Sequence, residues 1–138
     1  EKHIRVFQNL SRPVNVLTTH SSWLMSSLVM GAKGLLSGAG SVIADLHVEL
    51  FNTIKSNDLS NAKKINDSIF PLVQLFYKQP FLDMHNRMKE TLVLLNRMEK
   101  AFVRPPLMKL PVEEIESLRA VIKKIDLSEN YKVINAAE

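Results

Sequence analysis

The sequence predicts an α/β fold, and three observations lead to this prediction. Helical patterns alternate with short apolar runs over residues 1–57, in the order helix, strand, helix, strand, helix. This order is typical of stacked α/β units with parallel strands. Residues 58–127 carry helical spacing only, which predicts a helical extension, and 128–138 are expected to form a tail. Because two parallel strands need further neighbours and cover on both faces, we expect this sheet to be part of a larger one.

The first half of the chain supplies the two predicted strands. Residues 14–18 and 34–37 are short and apolar, which suits buried parallel strands. The helix before them ends ahead of Pro13, because proline disfavours helix in the residue that precedes it. The helix between the strands ends at Gly31, a residue that tolerates a left-handed stop. A further helix follows the second strand, with these apolar residues at helical spacing: Ile43, Leu46, Leu50 and Ile54.

Three more helices are predicted in the second half. Asp58 or Ser60 caps the first, and Pro71 should kink it by removing a backbone hydrogen bond. The second covers 83–98, and the last begins at Pro111, since proline is favoured in a first turn. Helical spacing predicts these buried faces, in chain order: Ala62, Ile65, Ile69, Leu72, Val73 and Phe76; Met84, Met88, Leu92, Leu95 and Met98; Ile115, Leu118, Ile122 and Ile125.

The composition argues against several functional classes. Apolar residues make up 46% and charged residues 23%, as in ordinary globular proteins. The chain has no cysteine, which excludes disulfides and thiolate metal sites and fits the cytoplasm. The net charge is +4, but basic and acidic residues are interspersed, so no nucleic-acid partner is expected. The most apolar stretch, 23–43, is interrupted by Lys33, glycines and serines, so no membrane partner is expected either.

Two polar loops follow the predicted strands. In parallel α/β folds chemistry takes place at the carboxyl ends of the strands, where such loops converge. The candidate substrate-rim residues are Thr18, Thr19, His20, Leu36, Ser37, Gly38 and Ser41. A structural interpretation is also open, in which Ser21 or Ser22 and Ser41 cap helices and the glycines serve turns. The four histidines lack the i, i+4 spacing of a helical metal site, and no metal is expected.

One segment resembles a known family. Residues 31–37, Gly-Ala-Lys-Gly-Leu-Leu-Ser, and the small-residue loop and helix after them are similar to the last strand of the dihydrodipicolinate synthase and N-acetylneuraminate lyase family. The order further on is also similar, with Asp58-Leu59 and Ala62, Phe70-Pro71-Leu72, Lys89, Arg104-Pro105-Pro106-Leu107 and Glu113-Glu114. The resemblance implies the C-terminal portion of a (β/α)8 TIM barrel: helix six to helix eight with strands seven and eight, then a three-helix extension.

The resemblance also implies a function. Members of this family are class I Schiff-base aldolases, so we expect a pyruvate-dependent lyase that forms or breaks a carbon–carbon bond of a 2-oxo acid. The reaction uses a covalent lysine–pyruvate imine as an electron sink and no separate cofactor. That lysine would lie just before Glu1, so no catalytic residue is expected in this chain and the chain alone is expected to be inactive. Lys33, Lys55 and Lys89 are not expected to replace it. The implied partners are the N-terminal part of the barrel, the 2-oxo acid and further copies in a homo-oligomer.

Two positions depart from the family pattern. Members commonly carry glycine and acidic residues after strand seven, where this chain has Thr19-His20-Ser21-Ser22. They carry asparagine after strand eight, where this chain has Ser41. These departures argue against sialic acid as the substrate. The alternative function is a non-enzymatic helical interaction or regulatory module that retains a remnant of the barrel.

Overall fold

The computed structural model describes residues 2–125, so the expected tail at 128–138 lies outside the described residues. The elements, in chain order, are α1 (Lys2–Asn9), β1 (Leu17–Thr18), a 3₁₀ turn (Ser21–Trp23), α2 (Leu24–Val29), β2 (Gly34–Leu35), α3 (Gly40–Lys55), α4 (Leu59–Phe76), a second 3₁₀ turn (Phe81–Asp83), α5 (Met84–Leu94) and α6 (Val112–Lys124). This confirms the predicted order of helices and strands. Between residues 2 and 125 no helix is long and apolar enough to cross a membrane.

The chain divides into two compact units between Val73 and Gln74. This division falls inside α4, whereas the predicted boundary after residue 57 falls in the turn between α3 and α4. The apolar face of α4 begins at Ala62, which is fully buried, so the start of this helix packs within the first unit.

The two strands form a parallel pair, as predicted, but each is shorter than predicted: β1 covers two residues of 14–18 and β2 covers two residues of 34–37. Leu17 lies opposite Gly34 and Thr18 lies opposite Leu35. The N–H of Leu36 donates to the carbonyl oxygen of Thr18 at 2.8 Å, just beyond the paired residues. One face of the pair is covered, since Thr18 is only 1% exposed; the other is open, since Leu17 and Leu36 are 45% and 70% exposed. Gly34 leaves room for the Leu17 side chain, because a Cβ there would lie 3.0 Å from Leu17 Cδ2.

The helix after β1 begins differently from the prediction. His20 occupies the N-cap of the 3₁₀ turn, and its Nδ1 accepts a hydrogen bond from the Ser22 N–H at 3.3 Å. The prediction that Ser21 or Ser22 caps this helix is therefore wrong. The helix stop at Gly31 is confirmed, with φ of 108°. The cap at Asp58 is also confirmed, since its Oδ1 accepts from the Asn61 N–H at 3.1 Å.

Apolar spacing predicts the buried faces of α4 and α6 well. All six α4 residues assigned to its buried face are buried, and the helix runs through Pro71 to Phe76. On α6, Leu118 and Ile122 are buried, while the outer members of the predicted stripe are half-buried.

The buried face of α5 is not the predicted one. Of the five residues assigned to it, Met88 is buried and the other four are half-buried. Met98 also lies beyond the end of the helix at Leu94. The face that α5 does bury is largely polar and consists of Asn86, Arg87, Met88, Glu90 and Thr91.

Arg87 explains how α5 buries a polar face. Its side chain is 1% exposed, and its Nε donates to Oε2 of Glu114 on α6 at 2.8 Å. The Nη atoms donate to backbone carbonyl oxygens of the segment before α5, at residues Phe76, Lys78, Gln79 and Pro80, over 2.7–3.4 Å. A buried charge is tolerated when its hydrogen bonds are satisfied in this way.

Candidate functional site

The candidate site lies at the carboxyl ends of β1 and β2. The parallel pairing places the loop after β1 and the loop after β2 at the same edge of the strand pair. The hydroxyl groups of Ser21 and Ser37, one from each loop, are hydrogen-bonded to each other. The two loops that the sequence singled out are therefore in direct contact.

Ser21 was not among the predicted rim residues. The sequence predicts a helix cap at Ser21, because serine is favoured at that position. Spacing along one loop does not indicate which hydroxyl group on another loop a residue contacts. In the structure Ser21 is 3% exposed and Ser37 is half-buried. The Ser37 side chain is thus held by a buried neighbour rather than left to rotate freely in solvent.

The remaining predicted rim residues have different surroundings. Thr19, Leu36 and Gly38 are exposed, and His20 is half-buried at its N-cap position. Ser41 is exposed, and its hydroxyl donates to the Gly38 carbonyl oxygen at 2.8 Å, which ties the second loop to the start of α3. Thr18 is set apart from these residues, because it is buried on the covered face of the strand pair.

A groove of about 390 Å³ extends from Ser37 along β2 and α3. Its walls include Leu35, Gly40, His47 and Phe51. His47 is 5% exposed, and within residues 2–125 its Nε2 is buried without a hydrogen-bond partner. Burial lowers the pKa of His47 from 6.5 to about 4, so the imidazole is neutral at pH 7.

Two lysines of the first unit lie away from the loop contact. Lys33 directly precedes β2, at the amino end of the strand pair, and is exposed. Lys55 is the last residue of α3 and is also exposed. Neither lies in the buried apolar surroundings that favour imine formation on a lysine. In the second unit, Lys89 donates to the Phe102 carbonyl oxygen at 2.6 Å.

The chain is similar to known proteins over most of its length. Residues 1–125 match the model of the dihydrodipicolinate synthetase family. A 4-hydroxy-tetrahydrodipicolinate synthase from Clostridium acetobutylicum is 29% identical over 73 residues, which is 51% of this chain and 26% of that protein.

Solved structures share the fold. The dihydrodipicolinate synthase of Aquifex aeolicus matches with a TM-score of 0.78 and 25% identity, over 91% of this chain and 42% of that one. A catalytic lysine mutant of the Ruminococcus gnavus sialic acid aldolase matches with a TM-score of 0.75 and 20% identity, over 94% and 42%. The chain thus spans less than half the length of these relatives.

Proposed function

Because the chain belongs to the dihydrodipicolinate synthetase family, we propose that it forms the C-terminal part of a pyruvate-dependent Schiff-base lyase. The observation that carries the proposal is the contact between Ser21 and Ser37 at the carboxyl ends of two parallel strands. In (β/α)8 barrels this end of the strands holds the active site. Relatives of this chain are named synthases and aldolases, which fits a lyase.

In this proposal β1 and β2 are strands seven and eight of the barrel, and α1 to α3 are helices six to eight. A closed barrel has no free strand edge. In addition to β1 on one edge, β2 therefore needs a second parallel neighbour on its other edge. The groove along β2 and α3 is lined by apolar side chains such as Leu35, Val48 and Phe51. We propose that this groove receives the first strand of the barrel, which belongs to the N-terminal part of the full-length protein.

The proposed role of this chain is to shape one side of the substrate site. The open face with Leu17 and Leu36 would line the interior of the barrel, and the loops with His20 and Ser37 would form part of its rim. The reactive amine would come from a lysine outside residues 1–138. An imine on that amine withdraws electrons from the neighbouring carbon, which allows a carbon–carbon bond to form or break there.

Borohydride trapping of the full-length protein with pyruvate tests this assignment. Borohydride reduces an imine to a stable amine, so intact mass spectrometry should show one added pyruvate-derived group per chain. Peptide mapping should place that group on a lysine outside residues 1–138. The N-terminal part, expressed without residues 1–138, is the control. It shows whether imine formation with pyruvate requires the complete barrel.

Two results contradict the proposal. An adduct on Lys33, Lys55 or Lys89 would place the imine within this chain, against the assignment of the amine to the rest of the barrel. Full-length protein that forms no adduct with pyruvate or other 2-oxo acids would instead favour a non-enzymatic interaction module.

A further inference from the structure

The second unit contains a pocket that the proposed lyase site does not use. Its volume is about 520 Å³, within the range of small-ligand sites. Glu90 of α5 lines it together with the apolar side chains of Val93, Phe102 and Leu107. Lys100 and Lys109 are exposed and also contribute to its lining.

The wall of this pocket is held in place by α5. The Lys89 ammonium donates to the carbonyl oxygen of Phe102 at 2.6 Å. The buried amide of Asn86 donates through Nδ2 to the carbonyl oxygen of Met108 at 2.7 Å. The segment that closes the pocket is therefore fixed near both of its ends, and the cavity is formed before any ligand arrives.

Glu90 is the unexplained group in this pocket. It is 8% exposed, yet within residues 2–125 its carboxylate forms no ion pair and accepts no hydrogen bond. The carboxylate of Glu99, which also lines the pocket, is 90% exposed and lies 3.9 Å from the Lys100 ammonium. The Glu90 oxygens are not among the fully buried polar atoms, so the carboxylate reaches solvent inside the pocket. Beside apolar walls, its attraction for an arriving positive charge is screened less than on an open surface.

We propose that this pocket binds a ligand with a cationic end, an ammonium or guanidinium group, on an apolar stem. Glu90 supplies the charge partner for the cation, and Val93, Phe102 and Leu107 contact the stem. A second, anionic group on the ligand would meet Lys109. The inference does not depend on the lyase chemistry, because it rests on residues of the second unit alone.

Titration of the full-length protein with n-butylammonium, followed by ligand-observed NMR, tests this inference. Saturable binding is expected, and 1-butanol, which has the same stem without the charge, should bind at least about tenfold more weakly. Glu90→Gln keeps the shape of the side chain and removes its charge, so it should weaken n-butylammonium binding by a similar factor. Glu113→Gln is the matched control and should change the affinity by less than about twofold, because Glu113 is exposed on α6 and does not line the pocket.

The comparison of the two ligands on unmodified protein remains informative even where Glu90→Gln does not fold. Equal binding of n-butylammonium and 1-butanol would overturn the proposal, since the pocket would then select only for the stem. So would an absence of saturable n-butylammonium binding, or a folded Glu90→Gln protein that binds as tightly as the unmodified one.

Discussion

His47 places an imidazole in the interior of the first unit without a hydrogen-bond partner for Nε2 among residues 2–125. Because burial disfavours the charged ring, its pKa falls from 6.5 to about 4. In the unfolded chain the ring has its ordinary pKa, so below pH 6.5 the unfolded state binds the proton more readily than the folded state. The contribution of the neutral His47 ring to the free energy of unfolding is therefore present above pH 6.5 and is lost as the pH falls towards 4.

A pH series of unfolding measurements tests this linkage. The gap between pKa values of 6.5 and about 4 corresponds to about 3 kcal/mol in the free energy of unfolding. Between pH 7 and pH 4 the unmodified full-length protein should therefore lose about 3 kcal/mol more than His47→Leu, measured by urea unfolding. His85→Gln is the control, because His85 is exposed. Parallel pH profiles for the unmodified protein and His47→Leu would show that His47 is not the group responsible.

The contact between Ser21 and Ser37 shows how much of the candidate site the sequence could predict. Ser37 was recognised because it directly follows a predicted strand, and its place in the chain determines its place on the edge of the sheet. Its partner Ser21 was not recognised, because a contact between two loops depends on how both backbones turn. Spacing along one chain segment contains no information on that pairing.

Among the elements, α5 shows how a charged side chain can determine which face of a helix is buried. Arg87 is surrounded by four backbone carbonyl oxygens and the Glu114 carboxylate. The hydrogen bond from Arg87 is the main reason that the pKa of Glu114 is lowered, and Lys78, 3.4 Å from the same carboxylate, adds to it. The arginine therefore connects the segment before α5 to α6.

Arg87→Met should be strongly destabilising. It leaves four backbone carbonyl groups without their donor and leaves Lys78 as the remaining partner of Glu114, which should cost about 2–4 kcal/mol. Arg119→Met is the matched control: Arg119 pairs with Glu116 at 3.4 Å on the exposed side of α6, where such a pair contributes less than about 1 kcal/mol. Urea unfolding of both variants measures the difference. Equal losses in the two variants would mean that the buried hydrogen bonds of Arg87 add nothing to the free energy of unfolding.

The helices show where apolar spacing is sufficient for prediction and where it is not. On α4 every predicted core residue is buried, because its apolar residues recur on one face and the opposite face is mostly polar, with Leu59 and Phe70 as exposed exceptions. On α5 the methionines and leucines also recur at helical spacing, yet the polar face is buried instead. The sequence could not reveal this, since the partners of Arg87 are mainly backbone carbonyl groups, which every residue has.

For the molecule as a whole, the strand pair has one face with large apolar side chains in solvent. Leu17 is 45% exposed and Leu36 is 70% exposed, while Thr18 on the other face is covered. Exposed strand edges and apolar surfaces favour association with other chains. The proposed barrel accounts for this face, because the other strands of the full-length protein would enclose it.

The double change of Leu17→Lys and Leu36→Lys should therefore have opposite effects in two contexts. In a chain of residues 1–125 alone, the charges should reduce aggregation, measured by light scattering, because they face solvent and repel. In the full-length protein the same charges would be buried in the barrel interior without partners and should destabilise it by about 3 kcal/mol or more. Met108→Lys is the control, since Met108 is 79% exposed and lies in the second unit. A full-length protein that keeps its stability with both lysines would place this face in solvent, and β1 and β2 could then not be two strands of a closed barrel.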